Sequence, residues 1–105
     1  MAVRISAPTS AKKGDVIELK ALIQHPMESG YRRDLKGEII PLDIIEEFVC
    51  TYSGKEVFRW ELQRGISANP FITFFIRAIE PGPIEFRWTD QHGEVTTETR
   101  QLNIT

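Results

Sequence analysis

Sulfur is scarce in this chain. Cys50 is its one cysteine, so no disulfide can form within it. A metal site needs three or four convergent donors, and the donors are few. His25 and His92 are the only histidines, and with Cys50 they share no HxxH or CxxC spacing. Positive charge is short as well. Thirteen Lys and Arg face 15 Asp and Glu, for a net charge of -2. Nucleic acid and anionic membrane surfaces call for a basic stripe, so neither is an expected partner. No apolar run approaches the roughly 18 residues that cross a bilayer. The opening residues Met1-Ala-Val-Arg-Ile-Ser6 lack an apolar h-region, which predicts no secretory signal and, by default, a cytoplasmic home. There is no GxSxG elbow, P-loop or GxGxxG. Glu46 and Glu47 are adjacent and point to opposite faces of a strand, so they make no working carboxylate pair. The expectation is a protein with no catalytic set, no cofactor and no metal.

What the chain does have is apolar residues at period two. Hydrophobic residues make up 41% and include six phenylalanines, enough for a packed interior in one domain spanning 1–105. Val3 to Ala7 reads as a short strand closed by Pro8. Val16 to Gln24 carries Ile17, Leu19, Ala21 and Ile23 on one face. Ile44 to Tyr52 carries Phe48, Cys50 and Tyr52, and Ser53-Gly54 then signals a tight turn into Glu56 to Leu62. Ile72 to Ile79 is apolar on both faces, the pattern of a central strand. Ile84, Phe86 and Trp88 alternate with Glu85, Arg87 and Thr89. Val95 to Ile104 is rich in β-favouring Thr. Leu42 to Phe48 allows one turn of helix at most. Seven short strands over about 100 residues predict an all-β, immunoglobulin-like antiparallel β-sandwich.

The least ordinary segment is the loop His25-Pro-Met-Glu-Ser-Gly-Tyr-Arg-Arg-Asp34. A plain connection is short and built of small polar residues. This one carries residue types that make contacts, and the connection runs on to about Pro41, where Lys36-Gly37 can turn a small hairpin arm. Arg32 and Arg33 are planar bidentate donors for carboxylates, or solvated residues with Asp34 as a local partner. Met27 and Tyr31 suit an interface, or fold back onto the sandwich. His25 is a partner donor or a residue bonding nearby backbone. A second unusual stretch is Ile66-Ser-Ala-Asn-Pro-Phe71, where Pro70 and Asn69 specify a turn and Phe71 either packs inward or meets a partner. The contact candidates are therefore His25, Met27, Glu28, Tyr31, Arg32, Arg33, Asn69 and Phe71. Cys50, between Phe48 and Tyr52, reads as a small buried hydrophobe.

The runs AKKGDVIELKALIQHPMESGYRRDLKGEIIP (11–41), FVCTYSGKEVF (48–58), ISANPF (66–71) and FRWTDQHG (86–93) together resemble the SoxZ family. HPMESGYRRD and ISANPF are the most specific. That family supplies the small subunit of the SoxYZ carrier of bacterial sulfur oxidation. The resemblance implies a non-catalytic, immunoglobulin-like subunit in a tight heterodimer with SoxY. There the partner bears the reactive cysteine on a C-terminal Gly-Gly-Cys-Gly-Gly arm that visits other Sox enzymes. It also implies periplasmic residence by co-export with a twin-arginine-targeted partner, which reverses the cytoplasmic default. The chain agrees in lacking a signal, a catalytic set and a Gly-flanked cysteine in its last residues, Gln101-Leu-Asn-Ile-Thr105. Two other readings remain: a free-standing β-sandwich binding domain that homodimerises, and a redox or persulfide carrier acting through Cys50.

Overall fold

A computed structural model describes residues 2–105. The described residues form eight strands and no helix: β1 (Val3–Ser6), β2 (Ser10–Ala11), β3 (Val16–Ile23), β4 (Ile45–Tyr52), β5 (Lys55–Glu61), β6 (Phe71–Arg77), β7 (Gly82–Asp90) and β8 (Val95–Ile104). They make two sheets, ordered β1-β3-β6 and β2-β8-β7-β4-β5. The expected β-sandwich is present, and its antiparallel pairs follow the predicted strands. The exception is β2, two residues paired in parallel with β8 and too short for any periodicity to mark.

Period two dictates the layers. Ile17, Leu19, Ala21 and Ile23 of β3 are all buried, and Ile84, Phe86 and Trp88 of β7 meet them from the opposite sheet. Phe48 sits at the centre, fully buried, with the rings of Trp88, Phe74, Phe58 and Phe86 at 5.0, 5.9, 6.2 and 6.3 Å. Phe58 of β5 stacks on Phe74 of β6 at 4.5 Å and so joins the two sheets.

Local chemistry fixes the turns. Ser53 and Gly54 have φ of 50° and 83°, the doubly positive pair of a type I′ hairpin, and Tyr52 faces Lys55 across it. The Tyr52 hydroxyl accepts from the N–H groups of Ile79 (3.2 Å) and Glu80 (3.0 Å) and donates to the Glu80 carbonyl. It thereby pins the crossing from β6 in one sheet to β7 in the other.

Leu42 to Phe48, which allowed one helical turn at most, has none: Asp43 bridges to Glu28, and β4 begins at Ile45. One expectation fails: β6 is not central. It pairs only with β3 and forms an edge of the smaller sheet. Its inward residues Phe74 and Ile76 fill the core, while Phe71 and Phe75 are 53% and 61% exposed. Apolar residues on both faces here mean one face in the core and one in solvent.

A candidate docking arm

The loop between β3 and β4 folds into a hairpin arm. Glu28 and Asp43 exchange backbone hydrogen bonds at its base (2.8 and 2.9 Å). Further out, Ile40 N–H donates to Arg32 O (2.7 Å), Arg33 bridges to Ile39, and Asp34 N–H donates to Glu38 O (2.8 Å). The tip is an Asx turn, in which the Asp34 carboxylate accepts from the N–H groups of Lys36 (2.9 Å) and Glu38 (3.0 Å). Every residue from 31 to 39 is exposed.

The base of the arm is tied into the sandwich. His25 and Asn69 bond reciprocally: His25 N–H to Asn69 Oδ1 (3.0 Å) and Asn69 N–H to His25 O (2.8 Å). Asn69 holds a φ of 55°, a left-handed conformation that Asn tolerates better than most residues. His25 Nδ1 accepts from Met27 N–H at 3.1 Å, which leaves the ring proton on Nε2, facing Asp43 Oδ1 at 3.4 Å. His92 Nε2 approaches the same carboxylate oxygen at 3.9 Å. Met27 turns inward with a φ of 52°, and its thioether accepts the Ile45 N–H at 3.3 Å.

Two contact candidates are thus corrected. His25 is 4% and Met27 6% exposed, so neither offers itself to a partner. The structure uses them to lock the arm to β4 and to the 63–70 loop. Asn69 is exposed, but its side chain is engaged in the same lock.

The arginines are also occupied, though at the surface. Arg32 grips Glu28 through Nε (3.1 Å) and Nη2. The Arg32 hydrogen bond holds the Glu28 carboxyl below its usual range, with the arginine's charge acting the same way and desolvation opposing it. Arg33 Nη1 donates to the Gly37 carbonyl at 2.7 Å and braces the tip. Tyr31 is 73% exposed. Arg64 lies 5.2 Å from its ring centre and donates to its hydroxyl at 2.8 Å. Phe71 stands in solvent on the outer face of β6.

Sequence reasoning missed Leu35, Ile39 and Arg64. Leu35 is fully exposed at the tip and Ile39 is 55% exposed. The Arg33–Ile39 bridge sets the register, and alternation then puts Tyr31, Arg33 and Ile39 on one face of the arm. Once Lys36-Gly37 is read as a hairpin turn, the same alternation is visible in the sequence. The arm therefore presents an aromatic, a guanidinium and two aliphatic side chains on a braced hairpin, a composition that favours protein contact. Near its base a cavity of about 350 Å³, rimmed by Glu46, Glu47 and Glu61, opens beside Leu62 and Thr89.

Cys50 is fully buried, and burial pushes its thiol up to about 12. It stays protonated and out of reach of reagents. Among the described residues, no three His, Cys, Asp or Glu side chains converge as a metal site would require.

A family model described as Sulphur oxidation protein SoxZ matches residues 3–101. No curated protein sequence matches the chain. Among solved structures, the superoxide reductase (neelaredoxin) from Ignicoccus hospitalis is similar with a TM-score of 0.74 at 15% identity, over 100% of this chain and 81% of that one. The sulfur carrier protein SoxY from Chlorobium limicola f thiosulfatophilum gives 0.69 at 14% identity, over 100% of this chain and 80% of that one. A CARDB domain from Pyrococcus furiosus gives 0.57 at 13% identity, over 98% of this chain and 92% of that one. At these identities the likeness is one of fold.

Proposed function

The chain belongs to the SoxZ family of sulphur oxidation proteins, and we propose that it is the non-catalytic subunit of a two-chain sulfur carrier. In this reading it holds a SoxY-type partner whose terminal cysteine bears the sulfur, and it offers a docking surface to the enzymes that process that sulfur. It works in the periplasm, exported with its partner. The observation that carries the reading is the arm. A nine-residue exposed hairpin, hydrogen-bonded at its base through His25, Met27 and Asn69, faces solvent, as a recognition element should. The state of Cys50 supports the same division of labour. A thiol held protonated inside the core is suited neither to carrying a persulfide nor to redox exchange.

Binding energy at protein interfaces concentrates in a few anchors, with Tyr and Arg prominent among them. Tyr31 and Arg33 share the exposed face of the arm. Tyr31→Ala combined with Arg33→Ala should leave the fold intact and weaken binding to the partner subunit or to a visiting enzyme by about 2 kcal/mol or more. Titration calorimetry against each candidate decides the matter. Unchanged affinity for all of them would remove the arm from the docking surface. A loss toward a visiting enzyme alone would make it the site where that enzyme lands.

A further inference from the structure

Edge strands expose unpaired backbone groups, and proteins usually blunt them. Three of the four sheet edges here are blunted. β1 is four residues long, β2 is two and leaves most of β8 uncovered where Glu98 and Arg100 supply charge, and β5 carries Lys55, Glu56, Arg59 and Glu61 and is itself bulged at Val57. β6 has none of these devices. It runs seven residues in unbroken register with β3, holds no proline, lysine or carboxylate, and places its one charged residue, Arg77, at the very end.

The direction of its backbone groups follows from its two ends. Ala78 N–H donates to Asp15 O (2.7 Å), and Ile23 N–H donates to Pro70 O (3.3 Å), so residues 70 and 78 both turn toward the β3 side. Alternation then turns Ile72, Phe74 and Ile76 toward β3 as well. The N–H and C=O groups of Phe71, Thr73, Phe75 and Arg77 point to the open edge. The same four residues carry the side chains of the outer face, where Phe71 and Phe75 are more than half exposed.

This edge is complementary to itself. If two copies pair antiparallel about a two-fold axis through Thr73, each Phe71 faces the other copy's Phe75 and the two threonines face each other. Aromatic–aromatic and Thr–Thr pairs are both favourable cross-strand neighbours. Arg77 falls at the end of the pairing, opposite Asn69, so no like charges meet. The contact is isologous and closes on itself, joining two three-stranded sheets into one of six. We propose that β6 is an interface between two copies of this chain, paired edge to edge with Thr73 on the two-fold axis. The inference concerns the chain by itself and is independent of the partner reading above.

The test uses the full chain and sedimentation equilibrium. The wild type should be a reversible dimer. Thr73→Lys and Thr73→Glu each set like charges face to face on the axis and should each weaken dimerisation by about tenfold or more. A mixture of the two should restore it, because Lys then faces Glu. Neither change touches the core, and melting curves of each variant check that the fold is kept. As an independent measurement, Thr73→Cys should form an intermolecular disulfide on oxidation, since the Cα separation of about 5.5 Å in a hydrogen-bonded pair suits one. A monomeric wild type at the highest soluble concentration overturns the proposal. So does a dimer indifferent to Thr73→Lys, or a Lys–Glu mixture no tighter than either variant alone.

Discussion

Cys50 and Met27 show how differently two sulfur atoms behave in one core. Alternation with Phe48 and Tyr52 made the burial of Cys50 legible in the sequence. Its thiol is raised from 9.0 to about 12 by desolvation. The unfolded chain therefore loses this proton first. The stabilising effect is complete below pH 9 and is lost as pH rises from there toward about 12. Cys50→Ala should cost on the order of 1 kcal/mol at neutral pH and leave sulfur-oxidising turnover of the assembled complex intact. It should also remove about 1 kcal/mol per pH unit of alkaline destabilisation, read as the difference between wild-type and variant urea midpoints above pH 9. Met27 was not legible, because a methionine in a polar loop gives no periodic sign of burial. Its place depends on a distant partner, the Ile45 N–H. Met27→Leu preserves volume but leaves that buried donor unpaired. It should destabilise by about 1–2 kcal/mol in denaturant titration, and no loss of stability would mean the sulfur contact contributes only packing.

At the scale of the element, strands with one wet face were easy to read, as β7 illustrates. β6 was harder, because sequence periodicity reports apolarity and not neighbours. A strand apolar on both faces is the pattern of a sheet interior, and nothing local separates that case from an unguarded edge. The arm was half legible. Lys36-Gly37 announced its turn, and the residue types announced contact. The sequence did not reveal that His25 and Met27 close its base, since that follows from the long-range bond to Asn69. Asn69→Gly keeps the backbone conformation and deletes that acceptor. The amide of His25 should then exchange faster with solvent, while the melting point falls by only a few degrees. An exchange rate unchanged at His25 would show that the base is held without Asn69.

For the molecule as a whole, stability rests on the aromatic cluster that ties the sheets together. Trp88 is buried and lies 5.0 Å from Phe48 at its centre. Trp88→Ala should cost about 3–5 kcal/mol, a large share of the 5–15 kcal/mol typical of a domain. The expected result is a variant unfolded or nearly so at physiological temperature by circular dichroism, and an unchanged melting curve would contradict the packing. The outline of the molecule has a consequence of a different kind. Its principal extents are 58 × 20 × 19 Å, and its radius of gyration is 16.1 Å, whereas a compact chain of this length has about 13 Å. A ten-residue strand reaches about 34 Å, so no single strand spans the long axis. A rod nearly three times as long as it is wide suffers more drag than a sphere of equal mass. A lone copy will therefore tumble slowly and leave a sizing column early, in the position of a larger globular protein. Elution volume will overstate the mass of one molecule, and only a measurement that weighs the particle will tell a single elongated chain from a pair.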